Sequence, residues 1–153
     1  MKLHNARLVQ FQNLNAMQKR MLLAAWLWLP LFWLGLRVLG LPRFQAWLLK
    51  VPARSALSLT IPVVKTLGEA VNIAARHTPC PVTCLTRSLL LSWLLHRRGV
   101  ASDLRIGVRL TRGTLEAHAW VECEGVPVND RPDVNAQFAS FGDLINLKDF
   151  HTL

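Results

Sequence analysis

The spacing of hydrophobic residues along the chain changes near residue 100. Before this point, apolar residues form continuous runs or recur at helical spacing. In residues 104–110, by contrast, Leu, Ile and Val alternate with Arg and Gly, which is the period of a half-buried strand. Helices followed by an antiparallel meander are typical of an α+β protein. The pattern therefore predicts N-terminal helices followed by a small antiparallel sheet.

The longest apolar run, residues 21–36, contains no charged side chain. It is shorter than the about 20 residues that a membrane span needs, and Pro30 lies near its middle. We therefore expect a helix that is buried in protein or lies at a membrane surface. Residues 1–16 are polar and mixed, which indicates a frayed start, and residues 43–60 are interpreted as a short helix and a turn.

Two more helices are predicted before the change in spacing. Residues 61–77 carry one apolar face, made of Val64, Leu67, Val71, Ala74 and Ala75. The proline-rich segment HTPCPVTC ends this helix, and residues 84–98 then form a helix that is apolar around most of its circumference. Thr83 suits the N-cap of this second helix, and Gly99 suits the left-handed residue after its end.

Three strands are predicted in the C-terminal part. They cover residues 104–110, 115–123 and 126–130, with a turn at 111–113 between the first two. We expect the last twenty residues to pack as a tail through Pro132, Phe138, Phe141 and Leu144.

Charge is distributed unevenly along the 153 residues, whose length suits one domain. The net charge is +9, yet the first acidic residue is Glu69, and residues 69–153 contain as many acidic as basic side chains. We therefore interpret residues 1–60 as a basic, apolar helical region that packs on a core of residues 61–153. The balanced core argues against a nucleic-acid enzyme, and the basic start indicates a docking surface for an acidic partner or an anionic membrane.

The chain has three cysteines, too few and odd in number for a disulfide framework, and no signal peptide is visible. We therefore expect a reduced, cytoplasmic protein. His77, Cys80 and Cys84 have the spacing H-x2-C-x3-C, but zinc usually takes four ligands in pairs from two places. We expect no metal and no cofactor.

Cys84 is the candidate nucleophile because it lies in the first turn of a predicted helix. The free N–H groups and the positive end of the helix dipole favour a thiolate there. The alternative is that Cys84 is simply a small buried hydrophobe. Cys80 is a weaker candidate since it lies between two prolines without a helix terminus, and Cys123 is better explained by packing.

The candidate base is His118, which shares a strand face with Glu116, Trp120 and Glu122. Two hairpin registers are open for its acidic neighbour. With a two-residue turn, Asp130 would face the residue after His118. With a three-residue loop, His118 and Asp130 would be paired directly. Gly125 favours the second register because this loop places a left-handed residue at that position.

A cysteine on a helix N-terminus, with a histidine and an aspartate on neighbouring strands, is the papain-like and transglutaminase-like arrangement, which attacks acyl carbons. Asp130 can hold the tautomer and orientation of the imidazole. Asp133 is the alternative third member, and Asn129 is a weaker one.

The segments CLTRSLLLSWLLHRRGVASDLRIGVRL and AHAWVECEGVPVND resemble the C-terminal region of lasso-peptide B proteins, over about residues 80–131. The paired motifs C-L-x-R-S and A-H-A-W-V-E-x-x-G-x-x-x-x-D carry this resemblance. It implies a cysteine peptidase that removes the leader from a ribosomally made precursor peptide, with Cys84 as nucleophile, His118 as base and Asp130 as third member.

The length of the chain indicates the split form of that family. The resemblance then implies three partners: the precursor peptide, a separate leader-recognition protein and an ATP-dependent cyclase that closes the lactam. The alternatives are an amide-transferring enzyme with the same three residues and a non-catalytic, membrane-associated adaptor. A peripheral membrane contact through residues 21–42 is compatible with each of these functions.

Overall fold

A computed structural model of the chain describes residues 16–53 and 59–140. Residues 1–15 of the predicted frayed start, residues 54–58 of the segment interpreted as a short helix and a turn, and Phe141 and Leu144 of the predicted tail lie outside these ranges. The helices are α1 (Ala16–Leu49), α2 (Ile61–His77), α3 (Cys84–His96) and the short α4 (Val134–Gln137). The strands are β1 (Asp103–Thr111), β2 (Thr114–Cys123), β3 (Val126–Pro127) and β4 (Ala139–Ser140). The predicted α+β class is confirmed.

The first helix is longer than the apolar run indicated. It reaches Leu49, with a break at Gly40, whose φ of 71° and ψ of 167° are not helical. Pro42 follows two residues later, and the backbone resumes its helix in a new direction rather than continuing straight. We call the part of α1 before Gly40 its first limb and the part after Gly40 its second limb; the short helix expected from residue 43 is thus in the second limb.

Helices α2 and α3 form the core with α1, largely as their apolar spacing predicts. Four of the five residues assigned to the apolar face of α2 are buried: Val64, Leu67, Val71 and Ala74. In α3, Leu90, Leu91 and Leu95 are completely excluded from solvent. The helix ends at His96, two residues before the predicted end, and Gly99 adopts the expected left-handed conformation with a φ of 71°.

The sheet is antiparallel and has the order β3-β2-β1-β4. β1 and β2 form a long hairpin closed by Arg112 and Gly113, both with positive φ. The inner half of β2 is buried on both faces, although the sequence indicated one apolar face. Helix α3 covers the face of Ala119 and Val121, and Phe138, which follows α4, packs on Trp120 at the other.

Candidate active site

Cys84 is the first residue of α3, as the sequence predicts. Thr83 caps this helix: its side-chain oxygen accepts a hydrogen bond from Thr86 N at 3.3 Å, and its carbonyl accepts one from Arg87 N at 3.2 Å. The cap fixes the start of the helix, so the Cys84 thiol lies where N–H groups and the helix dipole favour negative charge. Cys84 is partly buried and not in a disulfide.

His118 and Asp130 are brought together by the structure. His118 Nε2 lies 2.6 Å from Asp130 Oδ2, and the two side chains are equally shielded, each 19% exposed. Asp130 Oδ1 accepts a second hydrogen bond from Arg131 N at 2.8 Å, which fixes the carboxylate. Within the described residues His118 Nδ1 makes no hydrogen bond, so this nitrogen is left for a further partner.

The predicted register of the second hairpin is wrong. Cys123 pairs with Val126 around a two-residue turn, and both turn residues, Glu124 and Gly125, have positive φ. Gly125 has the left-handed conformation that was expected, but it occupies the second position of a two-residue turn. A turn with two left-handed residues matches the twist of the flanking strands. If the ladder continued in this register, Asp130 would be paired with Ala119 and not with His118.

The chain leaves the ladder before it reaches Asp130. The last backbone bond of this edge runs from Val128 N to Val121 O at 2.9 Å. Beyond it, the side chain of Asn129 takes the place of the backbone, because its Oδ1 accepts from Val121 N at 2.8 Å. Residues 128–130 then form a bend that turns the Asp130 side chain towards His118.

A buried hydrogen-bond network joins this bend to α3. Ser88 Oγ donates to Ala119 O at 2.9 Å, and Asn129 Nδ2 donates to Ser88 Oγ at the same distance. Ser88 is completely buried and Asn129 is 5% exposed, so loss of any of these bonds would leave a buried polar group unsatisfied. Ser88 lies one helical turn after Cys84, and Ala119 and Asn129 are the chain neighbours of His118 and Asp130. We refer to these bonds as the Ser88–Asn129 network.

Helix α2 supports the same bend from the other side. A Cβ atom on Gly68 would lie only 2.1 Å from Val128 O, so only glycine lets α2 approach this backbone. Asn72, one turn later, donates from Nδ2 to Asn129 O at 2.8 Å. The sequence offered one signal for this contact, a glycine inside an otherwise regular helix, which often marks a close backbone approach.

Two aromatic rings enclose His118. The Phe138 ring centroid lies 5.0 Å away and the Trp120 centroid 6.2 Å away. Gly107, which pairs with His118 across the β1–β2 ladder, leaves room for both side chains; a Cβ there would lie 2.9 Å from the Trp120 ring and 3.0 Å from Phe138 Cβ. The sequence places Trp120 on the same strand face as His118, whereas Phe138 was predicted only as part of the tail.

The other candidate residues are engaged elsewhere. Asp133 Oδ2 accepts from Gln137 Nε2 at 2.6 Å within the α4 region. Burial, with a smaller contribution from Asp103, raises the pKa of the Cys123 thiol to about 11, so this group stays protonated at neutral pH. His77 Nδ1 lies 2.8 Å from Ile73 O. In the described ranges no three metal-ligating side chains come together.

A cavity of about 550 Å³ opens beside Asp130. Its walls come from α2, from Arg87 of α3 and from residues 127–132. In the described part of the chain, two buried atoms on this wall, Arg87 Nε and Asn72 Oδ1, have no hydrogen-bond partner. Helix α1 does not line this cavity, and neither Cys84 nor His118 is among its lining residues. The residues that line it are mostly charged or polar: Lys65, Glu69, Asn72, Arg76, Arg87, Asn129, Asp130 and Arg131.

Comparison with known protein families matches residues 26–142 to the transglutaminase-like superfamily. The match covers most of the chain, and the chain belongs to this superfamily, whose members are generally cysteine proteases or transferases. The matched segment begins inside α1 and contains Cys84, His118 and Asp130. No curated protein and no solved structure matches the chain.

Proposed function

We propose that this chain is a cysteine peptidase that removes the leader from a ribosomally made lasso-peptide precursor, before a partner cyclase closes the macrolactam. The observation that carries the proposal is the 2.6 Å contact between His118 Nε2 and Asp130 Oδ2, connected by the Ser88–Asn129 network to the helix that begins at Cys84. These three residue types, in this order and on these elements, form the nucleophile, base and orienting group of an acyl-transferring site.

The hydrogen bond to Asp130 assigns different roles to the two nitrogens of His118. A neutral imidazole that donates from Nε2 to the carboxylate has its lone pair on Nδ1. In the proposed mechanism Nδ1 takes the proton of the Cys84 thiol, and Asp130 stabilises the imidazolium that results. The helix N-terminus favours the thiolate that is left behind.

The proposed reaction has two steps. The Cys84 thiolate attacks the carbonyl carbon at the junction of leader and core, and His118 protonates the amine of the departing core peptide. Water, deprotonated by the same histidine, then attacks the thioester and releases the leader as a free carboxylate. The Cys84 backbone N–H is a candidate donor to the oxyanion in both steps, because it lies at the free end of α3.

The finer assignment to lasso-peptide maturation depends on the two sequence motifs. The serine of C-L-x-R-S is Ser88, and the aspartate that ends the second motif is Asp130. The proposal includes a separate leader-recognition protein and an ATP-dependent cyclase as partners and a cytoplasmic location. The cationic side chains of the cavity beside Asp130 suit an acidic segment of the precursor that lies next to the site, outside the immediate surroundings of Cys84 and His118.

The nature of the products tests this proposal. Purified chain, precursor and recognition protein are incubated without the cyclase, and the products are analysed by mass spectrometry. The proposal predicts a free leader that ends in a carboxylate and a core peptide with a free amine. A leader joined to an added amine would indicate amide transfer instead. An intact precursor that binds the chain would indicate an adaptor.

A further inference from the structure

An apolar strip runs along the outward side of the first limb of α1. Its members recur at intervals of three and four residues, which places them on one side of the helix. Each is half or more exposed, between 50% and 71%. Between Leu23 and Val38 there are fifteen residue steps, so the strip is about 22 Å long at the helical rise of about 1.5 Å per residue. We call this strip the outer face; it consists of Leu23, Leu27, Leu31, Leu34 and Val38.

The opposite side of the same limb is fixed to the rest of the protein. Leu22, Ala25, Leu29 and Phe32 are buried in the core. The rings of Trp28 and Phe32 pack on Trp93 of α3, with centroids 5.0 Å and 5.4 Å away. Trp26 Nε1 donates to His77 O at the end of α2, at 3.2 Å.

These contacts distinguish two ways of meeting a bilayer. Residues 19–49 are long and apolar enough to cross a membrane, yet only 22% of their most apolar window is buried, unlike the core helix of a soluble protein. To cross perpendicularly, α1 would have to separate from α2 and α3 or take both with it. Lying in the plane of the surface requires neither, because the outer face points away from the domain.

Charge favours an anionic lipid surface as the occupant of the outer face. Lys19 and Arg20 lie at one end of the outer face and Arg37 lies near the other, all exposed. The sequence contains no acidic residue before Glu69, so nothing on this limb repels a negative surface. Trp26 lies at the border between the two sides of the limb: its Nε1 bonds His77 O, while the residue is 46% exposed, and tryptophan rings favour the boundary between lipid headgroups and acyl chains.

We propose that the outer face of α1 lies in the surface of an anionic bilayer, parallel to its plane, and holds the domain there as a peripheral protein. The apolar side chains would enter the boundary of the acyl chains, while the cations at both ends pair with lipid phosphates. This inference does not depend on the peptidase proposal, since none of its residues lies in the candidate active site.

Vesicle flotation tests the inference. The full chain is synthesised in a cell-free system with vesicles of phosphatidylcholine and phosphatidylglycerol at 3:1, or of phosphatidylcholine alone, and then floated on a density gradient. We expect recovery with the anionic vesicles at least tenfold above that with neutral ones, and a decrease as salt is raised. With the anionic vesicles, recovery of the double variant Leu27→Glu/Leu34→Glu should be at least tenfold lower than that of the wild type.

The hairpin of β1 and β2 offers a matched control. Leu110 and Leu115 are also exposed, at 72% and 67%, and pair with each other away from α1. The variant Leu110→Glu/Leu115→Glu should float like the wild type. Because all four leucines are exposed, both variants should keep the wild-type melting temperature within a few degrees. A third variant, Lys19→Gln/Arg20→Gln/Arg37→Gln, should lose the preference for anionic lipid without changing the outer face.

Four results would overturn the inference. If the wild-type chain does not float with anionic vesicles, the outer face does not bind an anionic bilayer. Equal loss in both leucine variants shows that binding does not use the outer face. A dimer in light scattering that only Leu27→Glu/Leu34→Glu dissociates, without flotation, assigns the face to a second copy. Wild-type chain that resists carbonate extraction from the vesicles indicates a spanning helix.

Discussion

Asp130 Oδ2 lies 2.6 Å from His118 Nε2, although the register of the hairpin would place Asp130 opposite the neighbouring residue. The contact exists because the chain leaves the ladder after Val128, with Asn129 completing the hydrogen bonds of β2 through its side chain. The geometry of the pair is therefore set by the bend at residues 128–130 and by the α2 and α3 residues that hold this bend.

Replacement of the carboxylate tests the role of this pair. Asp130→Asn should lower kcat/KM for precursor cleavage by about 10²-fold or more, because an amide neither fixes the imidazole tautomer nor stabilises its cation. Asp133→Asn is the matched control: its carboxylate bonds Gln137, so the rate should stay within about threefold of the wild type. A larger loss for Asp133→Asn than for Asp130→Asn would reverse the assignment. Both rates are measured by chromatography of the released leader.

The Ser88–Asn129 network should contribute to stability and to the position of the site. Ser88→Ala removes the hydroxyl that bonds both Asn129 Nδ2 and Ala119 O, leaving buried polar groups unsatisfied. We expect the free energy of unfolding to fall by about 1–3 kcal/mol, measured by urea denaturation, and kcat to fall more than KM rises.

Ser92→Ala provides the control for this substitution. Ser92 lies one turn further along α3 and is as well buried, but among the described residues its hydroxyl has only a 3.4 Å contact with Ser102 Oγ. Ser92→Ala should lower the free energy of unfolding less than Ser88→Ala does, and it should leave kcat unchanged. Equal kinetic effects of the two substitutions would mean that the network does not position the site.

Gly68→Ala should destabilise the protein even though alanine is the better helix former. The added Cβ would meet Val128 O at 2.1 Å, and this carbonyl belongs to the backbone and cannot rotate away. We expect a loss of about 1–3 kcal/mol, typical of overpacking, together with lower activity, since α2 would be pushed from the bend before Asp130. Glu69→Ala, at an exposed position beside it, controls for the change in helix propensity. A Gly68→Ala protein with a raised melting temperature would contradict the close contact.

The raised pKa of Cys123 should make its thiol unreactive in the folded protein. Since the pKa of Cys123 is raised from 9.0 to about 11, its thiolate fraction at pH 8 is about 100-fold below that of an ordinary thiol. Cys123 should therefore remain unmodified by iodoacetamide at pH 8 in the folded protein and react in urea. Peptide mapping by mass spectrometry measures this, and rapid modification of Cys123 in the native protein would show that it is not buried.

The sequence predicted the elements of the site better than their connections. Helical spacing located α2 and α3, the Thr83 cap located Cys84 at a helix start, and strand alternation located His118, because these patterns depend on near neighbours in the chain. The hairpin register was wrong because Gly125 suits the left-handed position of both turn types. The hydrogen bond of Asn129 with Ser88 and the contact of Gly68 with Val128 join residues far apart in sequence, so no local pattern encodes them.

Three single cysteine variants test the central claim most directly. Cys84→Ala, Cys80→Ala and Cys123→Ala are each assayed for release of the leader from the precursor, with the recognition protein present and folding checked by circular dichroism. We predict no detectable cleavage by Cys84→Ala, and rates within about threefold of the wild type for Cys80→Ala and Cys123→Ala. Full cleavage by a folded Cys84→Ala protein would contradict the assignment of Cys84 as the nucleophile.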